Sequence, residues 1–128
     1  MPALKSETVV LCDRFNDSTI AYQGVRGFDT PWLRTLCSFA TNNLHPDLTF
    51  YLDIDPQKGL HRVKHRTQDR IEEEALSFHE KIRTAYLHIA QEEPTRFHIL
   101  PADRTPEDVF LSALKILNAY GLTGKEVV

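Results

Sequence analysis

Ile71, Ala75, Phe78, Ile82, Ala85 and Ile89 recur in alternating steps of four and three, the spacing that lines apolar side chains along one face of an α-helix. The stripe predicts a helix from about Asp69 to Gln91. A short run precedes it, Leu48 to Ile54, in which Leu48, Phe50, Leu52 and Ile54 fall on one strand face. A weaker run, Phe97-His98-Ile99-Leu100, follows it. Apolar strands alternating with helices indicate a parallel sheet with helices on its faces.

The rest of the chain extends this pattern. Thr8-Val9-Val10-Leu11-Cys12 is a β-branched run ending at Asp13 and reads as a buried strand. Thr30-Pro31, Asp55-Pro56 and Thr105-Pro106 each place a capping oxygen before a proline, whose missing N–H costs nothing in the first helical turn. After Thr30, Leu33, Leu36, Cys37, Ala40 and Leu44 make an apolar stripe. The last helix carries Phe110, Ala113, Leu114 and Leu117 and stops at Gly121, a residue suited to a left-handed terminator. The predicted order is strand, helix, strand, helix, helix, strand, helix, half of a doubly wound α/β domain.

At 128 residues, with 41% hydrophobic and 26% charged side chains, the chain suits one globular domain rather than a disordered segment. Its net charge of −3 argues against wrapping a nucleic-acid backbone. No apolar run approaches the roughly 20 residues that cross a bilayer. Cys12 and Cys37 form no C-x-x-C pair and no secretory segment precedes them, so a reducing cytoplasm is the expected setting.

Chemistry concentrates in Asp13-Arg14-Phe15-Asn16-Asp17-Ser18-Thr19-Ile20-Ala21-Tyr22-Gln23-Gly24, read as a loop at the carboxyl end of the first strand. Open α/β sheets bind their ligands at such ends. Asp13 could sit near a metal, and Arg14 has a fork shaped for a phosphate. Hydroxyls, a phenol and an amide could read a base or sugar. The alternative is a polar loop whose Asp13 and Arg14 pair with each other or with the next helix, and for Tyr22 plain packing. A second cluster is His61, Arg62, Lys64, His65, Arg66 and Arg70. It could be a solvated helix face balanced by Glu72, Glu73 and Glu74; without interleaved aromatics it is a poor single-strand binder. His61 and His65 lack the further ligands that a zinc site needs.

The string Asp-Arg-aromatic, then Ser, then Ala21-Tyr22-Gln23-Gly24 resembles the signature of thymidylate kinases. The likeness continues through Pro46 to Asp53, similar to the family's fourth strand, and through Gly59-Leu60 to Glu72, similar to its LID. Phe78-His79 to Tyr86-Leu87 is similar to the helix after the LID, and Pro2-Ala3-Leu4-Lys5 to the end of a preceding helix. The resemblance implies residues 1–128 as the C-terminal part of a single domain, with a LID at about 59–72. It implies a partial P-loop NTPase-type fold of the nucleoside monophosphate kinase kind, three-layered around a parallel sheet and lacking its first strands. The implied reaction is ATP-dependent phosphorylation of dTMP to dTDP with Mg2+. Arg14 would hold the dTMP phosphate, Asp13 would lie near the metal, and Ser18, Thr19, Tyr22 and Gln23 would line the nucleoside side, Tyr22 against the deoxyribose. Arg62, Lys64, Arg66 and Arg70 would serve ATP from the LID, with Arg66 or Lys64 as the catalytic cation, and Glu72 could assist the metal through water. A homodimer is implied for the complete enzyme.

No G-x-x-x-x-G-K-[ST] occurs in these residues; Gly121-Leu122-Thr123-Gly124-Lys125-Glu126 has the wrong spacing and a Glu after the Lys. By the resemblance, Met1 falls inside the domain near a helix end. The family's phosphate loop and a strand between residues 8–12 and 48–54 would precede it. The chain alone is then expected to be inactive and marginally stable, with open strand edges that a complementing N-terminal segment could fill. The alternative is a non-catalytic remnant or half of a split protein that binds a partner or nucleotide.

Overall fold

The computed structural model describes residues 2–6, 8–63 and 71–122. Its elements are α1 (Pro2–Lys5), α2 (Asn16–Val25), α3 (Thr30–Ala40), β1 (Thr49–Asp53), α4 (Pro56–Val63), α5 (Ile71–Glu92), β2 (Phe97–Pro101) and α6 (Pro106–Ala119). The expected parallel sheet is present as two strands: β1 and β2 pair in parallel, with Thr49 opposite Phe97 and Asp53 opposite Pro101. Along α5, Ile82 and Ile89 are buried, while Ala75, Phe78 and Ala85 are half-buried.

The register sorts the side chains into layers. Tyr51 and Phe97 share one face of the sheet and pack with Ile20 and Ala21 of α2, Leu33 and Cys37 of α3, and Ile89 and Ala90 of α5. His98 points to the opposite face, where its Nε2 lies 3.1 Å from the Tyr120 hydroxyl at the end of α6. Helices therefore cover both faces. Phe50 and Leu52 share the second face with His98 and Leu100; Leu100 is buried there, while Leu52 is 55% exposed. On the first face Tyr51 meets Tyr86 of α5 in a stack at 4.6 Å.

Several local expectations need correction. Thr8–Cys12 is neither a ladder strand nor buried: Val9 alone forms a bridge, and Val10, Leu11 and Cys12 are exposed. Among the described residues β1 pairs only with β2, so this run has no adjacent strand to complete its hydrogen bonds. The segment after it is mostly helix rather than loop, α2 starting at Asn16. The cap of α3 is Asp29, whose Oδ1 accepts from the Trp32 N–H at 2.8 Å, rather than Thr30. Leu36 is exposed and α3 ends at Ala40, short of Leu44. Phe110 of α6 is likewise exposed.

The other caps form as read. Asp55 Oδ1 accepts from the N–H groups of Gln57 and Lys58, and Thr105 Oγ1 accepts from that of Asp108. Gly121 takes a φ of 66°, and the Leu122 N–H reaches back to the Leu117 carbonyl, a glycine-terminated helix end. Among the described residues no helix is long and apolar enough to cross a membrane.

Candidate nucleotide site

Helix α2 runs antiparallel to α5, as three cross-contacts in reverse order establish. Asp17 meets Arg96 just beyond α5, the Tyr86 hydroxyl donates to Ser18 Oγ at 2.8 Å, and Tyr22 meets Phe78 edge to face at 6.2 Å. Ser18 and Tyr22 are four residues apart and so share a helix face. That face looks onto Tyr86 and Phe78, with Tyr51 behind Tyr86. The result is an aromatic wall with hydroxyls set into it.

Arg14 closes the wall from the chain entering α2. It occupies the left-handed region with φ 61°, a conformation uncommon for a residue with a Cβ. Its guanidinium lies over the Tyr22 ring, 4.6 Å from the centroid, a cation–π contact. Charge interaction with the Tyr22 phenol, with a smaller addition from Tyr86, holds the Arg14 pKa above its ordinary value. Arg14 is exposed, and among the described residues no carboxylate forms an ion pair with it. The contact to the helix is thus to an aromatic ring and not the charge pair of the polar-loop alternative.

Asp13 is exposed beside Arg14, Thr19 is exposed on α2, and Tyr22 and Gln23 are half-buried. The structure puts Arg14 in contact with Tyr22, and Ser18, on the same face of α2 as Tyr22, in contact with Tyr86. Arg62, on α4, donates from Nη1 to the Ala102 carbonyl at 3.1 Å. Lys64, Arg66 and Arg70 lie outside the described residues, and of Glu72 only its place on α5 is described. Among the described residues no group of three or more His, Cys, Asp or Glu side chains could hold a metal ion.

Three features were missed in the sequence. Asp17 is buried, and both its oxygens accept from Arg96, at 2.7 and 2.9 Å. Asp53, at the carboxyl end of β1, receives Nε and Nη2 of Arg83 at 2.7 and 2.8 Å. These bonds hold the Arg83 guanidinium above its ordinary pKa. Burial, with help from Asp53, pushes the Tyr51 hydroxyl up to about 12. Arg83 and Tyr86 flank the apolar stripe of α5, and that position was the available signal.

Residues 1–112 match the family model described as Thymidylate kinase. The chain belongs to the thymidylate kinase family. It is 47% identical over 128 residues to a thymidylate kinase of Desulfovibrio desulfuricans, covering 93% of this chain and 59% of the relative. A thymidylate kinase of Magnetococcus marinus is 53% identical over 106 residues, covering 80% of this chain and 50% of the relative. The solved thymidylate kinase of Ehrlichia chaffeensis superposes with a TM-score of 0.69 at 30% identity, over 91% of this chain and 54% of that one. The chain thus spans about half the length of the relatives it matches. Its parallel crossover with helices on both faces is a partial nucleoside monophosphate kinase fold.

Proposed function

We propose that this chain supplies the monophosphate-binding part of an ATP-dependent dTMP kinase. The observation that carries the reading is Arg14: an exposed guanidinium resting on the Tyr22 ring, with no carboxylate pairing it among the described residues. A phosphate arriving above Tyr22 would meet a ready fork, while the ring beneath offers an apolar surface to the deoxyribose. Thr19 and Gln23 line the base side, and Ser18 keeps its own O–H to donate while its oxygen accepts from Tyr86.

In the reaction the γ-phosphoryl group leaves ATP for a phosphate oxygen of dTMP, giving ADP and dTDP. The protein contributes mainly position and compensation of charge. Arg14 orients the acceptor phosphate. Asp13 fits a magnesium ion held by one carboxylate together with phosphate oxygens and water, the arrangement in which no larger protein cluster is needed. Bound Mg2+ would neutralise charge on the phosphates. Arg62, Lys64, Arg66 and Arg70 approach from the LID; Arg62 must release the Ala102 carbonyl to do so. Glu72 would serve the metal through water.

The nucleoside triphosphate also needs a phosphate loop, and no G-x-x-x-x-G-K-[ST] occurs in the 128 residues. We assign it to a segment that docks on the unpaired edge of β1, beside the exposed run Val10-Leu11-Cys12, by strand addition. The completed enzyme would act as a homodimer in the cytoplasm. The test is to co-express this chain with the N-terminal segment of a thymidylate kinase that carries a G-x-x-x-x-G-K-[ST] loop. The expected result is a complex that turns over dTMP at about 1–100 s⁻¹, an ordinary kinase rate, with no turnover by the chain alone. Turnover by the isolated chain would overturn the division of labour. A tight complex without turnover would favour the other reading, a non-catalytic partner- or nucleotide-binding module, for which the exposed Leu11 and Leu52 speak.

A further inference from the structure

Among the described residues Asp17 is the charged side chain buried deepest, at 5% exposure. Both its oxygens accept from one guanidinium, that of Arg96, which stands in the turn before β2. Asp17 Oδ2 also accepts from the Thr49 hydroxyl at 3.2 Å, at the start of β1. Arg96 in turn donates to Glu93, and Glu93 accepts from Arg34 of α3. The first turn of α2 is thereby tied to the amino ends of both strands and, through two further ion pairs, to α3.

A buried ion pair adds little to stability that packed apolar groups would not supply as well. What a two-pronged pair adds is orientation, since both bonds must be satisfied together. The neighbouring residue, Ser18, is held separately by the Tyr86 hydroxyl. Consecutive helical residues point about 100° apart, so fixing both to different elements fixes the rotation of α2 about its axis. Tyr22, one turn on, follows that rotation.

We infer that the Asp17–Arg96 pair is a positioning element for the nucleotide face of α2, setting the aim of Thr19 and Tyr22 relative to Arg14. The inference rests on the nucleotide reading above and deepens it. Arg14 precedes the helix and is not tied to it by the pair. A change at Asp17 should therefore turn the nucleoside-reading residues, with the Tyr22 ring under Arg14 among them, while leaving the backbone that carries the exposed phosphate-binding group in place.

The experiment compares Asp17→Asn and Arg96→Lys with Ile82→Val, a buried control on α5, all in the full chain labelled with 3-fluorotyrosine. The four tyrosines report separately; Tyr120, whose hydroxyl donates to the Thr95 carbonyl next to Arg96, reports the turn itself, and Ile82→Val supplies the reference. At temperatures where each variant is folded by circular dichroism, the fluorine resonances of Tyr22 and Tyr86 should move in Asp17→Asn further than they do in Ile82→Val. The dTMP dissociation constant should rise about tenfold or more, while that of inorganic phosphate changes by less than about twofold. Arg96→Lys keeps the charge but loses the fork, and should reproduce both effects if Asp17→Asn does not fold. Resonances and dTMP affinity matching those of Ile82→Val, with only the melting point lowered, would overturn the inference. Absence of dTMP binding by the unaltered chain would overturn the nucleotide reading, a failure that the ligand-free resonances separate from failure of the positioning pair.

Discussion

Arg14 and Tyr22 touch, yet they stand on different kinds of support. Tyr22 belongs to α2, whose buried side chains Ile20 and Ala21 enter the core and whose first turn is bonded to Arg96 and Tyr86. Arg14 stands at the end of a run, Val10-Leu11-Cys12, that is exposed and unladdered, with Leu11 at 74% exposure. Its own backbone is left-handed. Tyr22 is therefore held by the described fold on several sides, whereas Arg14 follows an exposed run with no ladder among the described residues. On the proposed reading, such a site would separate affinity for the nucleoside from placement of its phosphate.

The largest expected effect tests the well-supported side. Asp17→Ala leaves the Arg96 guanidinium buried without its main partner, and breaking such a pair costs about 3–5 kcal/mol. Chemical denaturation should register that loss; a change below about 1 kcal/mol, the range of exposed pairs, would mean that α2 is not held as described. On the other side, Arg14→Ala should leave the melting point nearly unchanged because the residue is exposed. It should weaken dTMP binding by the worth of a hydrogen bond to a charged group, about 1.5–3 kcal/mol. A fall in stability with unchanged binding would reverse the contrast between the two supports.

This contrast also marks what the sequence could convey. The α5 stripe, the proline-marked helix starts and the Gly121 terminator are local signals, and local chemistry set them. The family itself was legible through the motif that contains Asp13, Arg14, Ser18 and Tyr22. Asp17–Arg96 and Asp53–Arg83 were not, because each joins residues remote in sequence, and no spacing rule links an acid on α2 to an arginine before β2. The strand assignment at Thr8–Cys12 failed for a related reason: a β-branched run states a preference, but a ladder needs a partner strand. In α3, Asp29 displaced Thr30 as cap because its carboxylate reaches the Trp32 N–H, a matter of one residue that helix-start patterns rarely resolve.

Smaller effects sharpen the picture. Thr105→Ala removes a cap remote from the site and should cost about 1 kcal/mol without touching dTMP affinity; an altered affinity would show that α6 communicates with the nucleotide face. Proton linkage distinguishes the wall behind Tyr22. The Tyr51 hydroxyl has its folded pKa raised from 10.0 to about 12 by burial and Asp53. The neutral phenol thus favours the folded state fully below pH 10, and that contribution drains away as pH rises from 10 to about 12. Melting curves should fall across this window less steeply for Tyr51→Phe than for the unaltered chain; identical slopes would remove Tyr51 from the buried wall.

The account rests on the claim that Arg14 and the face of α2 form one nucleotide-monophosphate site, and calorimetric titration of dTMP into the isolated chain tests it most directly. Thymidine and inorganic phosphate, titrated separately, divide the ligand into the two parts that the two supports are meant to hold. The account predicts saturable dTMP binding that Arg14→Ala weakens by about tenfold or more, while thymidine binding stays within about twofold of the unaltered chain. Equal dTMP affinity in Arg14→Ala and the unaltered chain would contradict it.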